Sequence, residues 1–318
     1  VAREVTVDTT KKTLVVHDGS TAGGTPLMKE SGHSGDVTFN SLTVGKGANS
    51  VSGNTVLGET ALDASVSGAD NTAIGKNVLT NLTSGVENTM VGSLAGDAVT
   101  TGNANTGVGR QALGSVQTGT NNTAVGWNSS VLTTGGSNTS MGFNSMGANT
   151  SGSNNVGIGN NALAANTTSG ESTAVGNQAL RYNTAQYNTA VGGNALRDNT
   201  SATYNTAVGY QALKTNTTGT PNVAVGGDAL RQNTTGGANV AVGSGALLSN
   251  ITGNNNTGIG RSALLNNSTG GQNTAVGMSA LATSTTGNNN TGIGYYALNA
   301  NTTGYSNTAL GYASAQDN

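Results

Sequence analysis

The chain has 318 residues, 8% of them charged and 3% aromatic, with 50 glycines, no cysteine and a formal net charge of −2. A globular domain of this length carries about 25% charge, so this composition excludes an ordinary globule, a basic nucleic-acid binder, disulfides and thiolate metal sites. No signal peptide and no run of 18 apolar residues occurs, so membrane insertion is not expected. Val1 stands in place of Met, and the natural N-terminus is expected upstream.

Residues 1–39 come first and carry no repeat. Val5 and Val7 alternate, a turn is expected through Asp8–Lys12, and Leu14–Val16 form a second apolar run. Asp18-Gly19 signals another turn and Gly23-Gly24-Thr25-Pro26 a loop. This pattern predicts a β-hairpin attachment module. Residues 40–53 (NSLTVGKGANSVSG) read as an irregular first coil or linker.

From residue 54 to 318 the chain repeats. The unit is N-T-A-V-G-x-x-A-L-x-x-N-T-T-G-x-x, seen cleanly in 205–221 as NTAVGYQALKTNTTGTP. Of the fifteen steps between repeat starts, thirteen are 17 residues long and two are 16. Asn/Thr/Gly-rich composition alone points to disorder, but a disordered chain has no reason to hold Val and Leu in phase. A short fixed period predicts stacked coils. Position 5 is Gly in all sixteen repeats, suiting a corner with positive φ or close backbone approach. Position 4 is always apolar and favours a strand. Position 9 is usually Leu and position 8 nearly always Ala. Position 1 is Asn in every repeat but one, Ser172. Such asparagines are expected to pair their amides from rung to rung. The G-x-x-A-L-x-x-N stretch fits a second strand or one helical turn.

One Val and one Leu per coil is little apolar filling against the entropy of ordering 17 residues. The expected architecture is therefore all-β: a parallel β-solenoid (β-roll or β-helix) of 17-residue coils, assembled as a parallel homotrimeric fibre. In that assembly the Val and Leu columns face one another near the axis. At about 4.8 Å per coil the shaft is roughly 75 Å long.

The NTAVGYQAL…NTTG repeats are similar to those of bacteriophage tail fibres. They also resemble the head repeats of trimeric autotransporter adhesins, which place an N-S-V-A-I-G-type strand in a left-handed trimeric β-roll. The segment 7–27 (VDTTKKTLVVHDGSTAGGTPL) resembles a module near the N-terminus of phage tail-fibre proteins. The resemblance implies a non-enzymatic fibre shaft on the virion tail that attaches to a host-cell receptor. Residues 1–39 would join it to other tail or fibre proteins. A surface adhesin on a bacterial cell is the alternative. Fibres of this kind often lose a C-terminal chaperone after trimerisation, and a processed or truncated shaft is expected.

Two surface columns are candidate contacts. Position 10 holds Arg181, Arg197, Lys214 and Arg231 in four consecutive repeats. Like charges about 5 Å apart repel by about 1 kcal/mol per pair in water, and an anionic host glycan would offset this. Tyr182, Tyr187, Tyr204 and Tyr210 lie in the same coils and offer rigid contact area. The competing reading is a solvated face that keeps rods apart. Position 6 varies freely (Lys76, Arg110, Trp127, Phe143, Tyr210, Met278, Tyr295, Tyr312), and Tyr295, Tyr296, Tyr305 and Tyr312 gather near the C-terminal end as a distal receptor contact. Interchain packing explains them equally well.

His17 and His33 have no second ligand at metal spacing, and the repeat has no acidic position for calcium, so no cofactor is expected. After Asp97 the acids are Glu171, Asp198, Asp228 and Asp317, at different repeat positions, which argues against a two-carboxylate glycosidase. The paired threonines at positions 13 and 14, such as Thr217-Thr218, raise an ice-binding solenoid as a third class.

Overall fold

The computed structural model describes residues 4–8, 13–17, 25–29, 36–130 and 133–316. Strands β1 (Glu4–Asp8), β2 (Thr13–His17) and β3 (Thr25–Lys29) form an antiparallel sheet in the order β1-β2-β3. Val5 pairs with Val16 and Val7 with Leu14, as the alternating apolar runs predict. The expected loop differs: Thr25 and Pro26 belong to β3. β3 is an edge strand, where a residue without N–H is tolerated. The expected turns at residues 9–12 and 18–19, Gly23-Gly24 and His33 lie outside the described residues.

A second sheet begins with the hairpin β4 (Val37–Phe39) and β5 (Leu42–Gly45), which crosses the boundary expected at residue 40. Asp36 Oδ1 ties its base, accepting from the backbone N–H of Lys46 at 2.6 Å and of Gly47 at 3.1 Å. β5 pairs antiparallel with β6 (Thr55–Gly58). From β6 to β21 (Thr308–Leu310) one short strand per repeat pairs in parallel with the next, in strict register. This is a parallel β-solenoid of about 17-residue coils.

Each coil is built from one strand and a run of turns. In the strand the side-chain period of two puts positions 1 and 3 inside and positions 2 and 4 outside. Thus Asn205 and Ala207 are buried, while Thr206 is half-buried and Val208 exposed. The asparagines fix this phase. Asn88 Nδ2 donates to Asn71 Oδ1 at 3.0 Å and to Gly102 O at 2.9 Å, and its backbone N–H donates to Asn71 Oδ1. The same pattern recurs from coil to coil, so the expected amide ladder is present and lies in the interior. A second ladder runs through position 12, where Asn233 Nδ2 donates to Asn216 Oδ1 at 2.8 Å and Gly236 O at 2.9 Å.

The expectation that Val and Leu columns together face a trimer axis is corrected here. Leu213, Leu230 and Leu247 are fully buried inside their own chain, whereas the position 4 column lies on the outer surface. Asparagine amides, buried because they pair, fill the interior beside Leu and Ala.

The stretch after the strand is neither a second strand nor a helical turn. Gln211 (φ 58) and Leu213 (φ 49) are both left-handed, and turns close from Ala212 N to Gly209 O and from Asn216 N to Leu213 O. Leu213 N reaches across to Ala229 O of the next coil at 3.0 Å. A left-handed leucine is costly, and the complete burial of its side chain offsets that cost.

The interior is divided. One apolar cluster runs from Val56 to Ala124 and another from Met146 to Ala309. Between them, in the first 16-residue coil, Ser129, Ser130 and Thr133 are buried instead. Ser129 Oγ and Ser140 Oγ share a hydrogen bond of 2.6 Å across this polar seam.

Candidate functional site

With Leu, Ala and Asn inside, what the solenoid can bind is set by its outward columns. The sheet face carries position 2, mostly Thr, beside position 4, always Val, Ile, Leu or Met, and neither position holds a charge in any of the sixteen coils. Val191, Val208, Val225 and Val242 follow one another along this face, each a little over a third exposed. Parallel pairing in register keeps them in a single line.

The position 10 cations do line up on successive coils, but the chain itself answers part of their repulsion. Arg197 makes a two-pronged pair with Asp198, Nε to Oδ1 at 2.7 Å and a second nitrogen to Oδ2 at 2.8 Å. Asp198 raises the pKa of Arg197 further above its ordinary value. Arg231 lies 3.5 Å from Asp228, three residues earlier. Arg181 sits over the Tyr182 ring at 5.0 Å. Sequence reasoning missed Asp198 and Asp228 as partners because they stand at different repeat positions.

The four tyrosines of those coils do not form one groove. Tyr182 joins the cation column, and Tyr187 stacks on Tyr204 with centroids 4.9 Å apart and planes within 8°. Tyr210 belongs to the position 6 column, where Gln211 Nε2 donates to its hydroxyl.

Position 6 is outward, and its residues touch along the axis. Lys76 pairs with Glu59 at 3.0 Å. Arg110 lies 5.7 Å above the Trp127 ring, and Trp127 meets Phe143 edge-on at 5.2 Å. Tyr295 contacts Tyr296 edge-on and stacks on Tyr312 at 5.3 Å. Partial burial, with Tyr296 second, raises the Tyr295 pKa above the ordinary phenol value. Tyr305 is set apart, strongly exposed at the corner of the last full coil, where the next corner lies beyond the described residues. The strong exposure of Leu310 and Tyr312 is that of the last described coil, which has no described neighbour on that side.

Of the paired threonines that suggested ice binding, the position 13 member is engaged along the stack, while its position 14 neighbour Thr218 is exposed. Thr200 Oγ1 donates to Thr217 O and Thr217 Oγ1 to Thr234 O, both at 3.0 Å, so position 13 fastens one corner to the next. The triplets at Asn166 and Asn216 are turn chemistry: both asparagines are buried and donate to carbonyls three residues on. Among the described residues no cluster of three or more His, Cys, Asp or Glu occurs, and no helix is long and apolar enough to cross a membrane.

Residues 1–21 match the family described as the Major tropism determinant N-terminal domain. A segment of 28 residues is 71% identical to the tail fiber receptor-binding protein of Bordetella phage BPP-1. That segment is 9% of this chain and 7% of the relative. The resemblance of the N-terminal segment to phage tail-fibre proteins therefore holds, joined here to a β-solenoid. No solved structure matches the chain.

Proposed function

We propose that this chain is the non-enzymatic shaft of a phage tail fibre, fixed to the tail through its N-terminal module and presenting a host-receptor surface along the solenoid. The observation that carries this is the N-terminal match to a tail-fibre protein, followed by sixteen stacked coils of solenoid. The same match favours a virion over a bacterial surface. The Thr/Val face supports self-association. It is uncharged, runs the length of the solenoid and repeats at the coil pitch, so the best-matched partner is another copy of the same chain. A parallel homotrimer around that face remains the proposed assembly, with Val rather than Leu at the axis. The position 10 cations and the tyrosine cluster at Tyr295, Tyr296 and Tyr312 are the proposed receptor contacts on the outside, with Tyr305 on a neighbouring corner.

Sedimentation equilibrium on the purified chain is expected to give three times the chain mass of 31.1 kDa. Excess chain is expected to compete with virions for adsorption to host cells. A monomer in solution would remove the trimer, and undiminished adsorption would remove the attachment role.

A further inference from the structure

Sixteen near-identical coils make a face on which two copies can slide. Position 2 is Thr except at Val156, Val223 and Val240, and position 4 is Val or Ile except at Leu57, Met141 and Leu310. The two 16-residue coils leave no mark there. Val125 still pairs with Met141 and Val175 with Val191, so the missing residue is absorbed outside the strand. A slip of one coil between parallel copies keeps fifteen of the sixteen coils facing a coil. Register is weakly specified where each rung resembles the next, so a fibre of one length needs a mark outside the repeat.

The hairpin β4–β5 stands on the same line and does not repeat. Val37 pairs with Val44, Val44 with Leu57 and Leu57 with Ile74, so the outward position 4 ladder runs on through the hairpin. Val37, Leu42 and Val44 are 43%, 41% and 42% exposed. Thr43 pairs with Gly58, which places Leu42 beyond the level at which every coil turns at its position 5 glycine. No coil carries an equivalent apolar residue on that face. The hairpin is also fixed to the stack. Besides the Asp36 bonds at its base, Ala48 N–H donates to Leu62 O and Asn49 Nδ2 to Val66 O, both at 2.9 Å.

We propose that Val37, Leu42 and Val44 pack on the same hairpin of the other copies and fix their axial register. The occupant is a second copy of this chain because the hairpin continues, without a break, the uncharged face that repeats at the coil pitch. Two hairpin rungs and sixteen position 4 residues, with the position 2 column beside them, reach the about 20–30 residues per side of a stable interface. Slipped registers are disfavoured at the same place. A slip of one or two coils brings Leu42 level with Glu59 or Lys76, the ion pair of the first two coils, instead of with another Leu42. The inference rests on the parallel assembly proposed above and adds what aligns it.

The chain has no cysteine, so introduced thiols report register cleanly. Full chains carrying Val208→Cys and Val242→Cys are co-expressed, oxidised and mapped by mass spectrometry. The two sites are two coils apart, about 9.6 Å, beyond the about 7 Å that a disulfide spans between Cα atoms. Same-site disulfides are expected, with those between 208 and 242 rare. Adding Val37→Thr, Leu42→Thr and Val44→Thr, which keep strand propensity, is expected to raise the 208–242 fraction about tenfold or more through lost apolar contact. An unchanged fraction overturns the proposal, as does an assembled species without same-site disulfides. Should the triple variant not assemble, Val44→Cys in the otherwise native chain decides: a disulfide joining position 44 of two copies supports the contact, and its absence overturns it. A single-chain mass for the unsubstituted protein would remove the parallel assembly and the hairpin contact together, leaving the attachment role to the adsorption test.

Discussion

At Gly209 the backbone has φ 138, and a Cβ there would lie 2.5 Å from the carbonyl oxygen of Gly226 in the next coil. Both reasons for glycine at position 5, conformation and close approach, act together. Gly209→Ala is expected to cost about 1–3 kcal/mol from backbone strain alone, read as a lower denaturation midpoint, with new protease cleavage near residues 209–226. The buried asparagines make a different prediction. Asn233→Leu removes one partner each of Asn216 Oδ1, Gly236 O and Asn250 Nδ2. Gly236 O keeps Asn222 Nδ2 and Asn250 Nδ2 keeps Gly253 O, so Asn216 Oδ1 is the buried group left orphaned, and a loss of about 1–3 kcal/mol is expected by urea unfolding. Leu82, Val99 and Val116 hold the same position in early coils, where the apolar column is continuous. Asp97 gives the residue-scale pH effect. Burial raises its pKa above 3.8, more than its backbone hydrogen bonds lower it. A carboxyl whose folded pKa is raised weakens the fold above that pKa, and the penalty fades as pH falls toward the unfolded value. Asp97→Asn is therefore expected to raise the melting temperature at pH 7 and to have no effect below about pH 3, well under the unfolded aspartate value.

At the scale of the coil, the strand and the turn run obey different rules. The strand was legible: Val and Thr favour extended backbone, and the alternation T-A-V sets one side chain in and two out. Its phase was not legible, because an inward valine at position 4 and an inward threonine at position 2 fit the same alternation until the asparagines choose. The turn run was illegible for another reason. Leucine carries no signal for positive φ, so a left-handed Leu213 cannot be anticipated from residue type. The polar seam is the coil-scale weakness. Ser130 sits at φ 48 in the column between Leu113 and Met146, fully buried, and its hydroxyl has no partner among the described residues. Ser130→Leu, the residue most coils carry there, is expected to join the two cores and add about 1–2 kcal/mol. Differential scanning calorimetry would check it, and a lower melting temperature would mean the seam has no room.

At the scale of the whole solenoid, each coil contacts its neighbours, so stability accumulates coil by coil. The single chain fills its interior with Leu, Ala and paired Asn, and trimerisation is not needed to cover the leucines. What a second and third copy would cover is the Thr/Val face. Changing Val191, Val208 and Val225 to Lys together places three like charges on that face without touching the interior, since all three are exposed. The expected outcome is a folded monomer: unchanged circular dichroism with one third of the wild-type mass by light scattering. An unchanged mass would place the contact between chains elsewhere. The candidate sites follow the same division. The cation column and the distal tyrosines were visible as repeat positions, whereas the Asp198 and Asp228 partners were not. Those arise where residues out of phase bring side chains together that periodicity does not.

The amino-acid sequence by itself determined the stacking, the coil length, the glycine corners and the amide ladders. Each is written as one residue type at one phase of a short period, and a parallel stack in register is the arrangement that puts like residues on like. Only the tertiary structure decided which columns face inward and which tyrosines meet. Inside and outside depend on whether every buried amide and carbonyl finds a partner across coils, and that condition is satisfied or broken by the whole stack rather than by any single repeat.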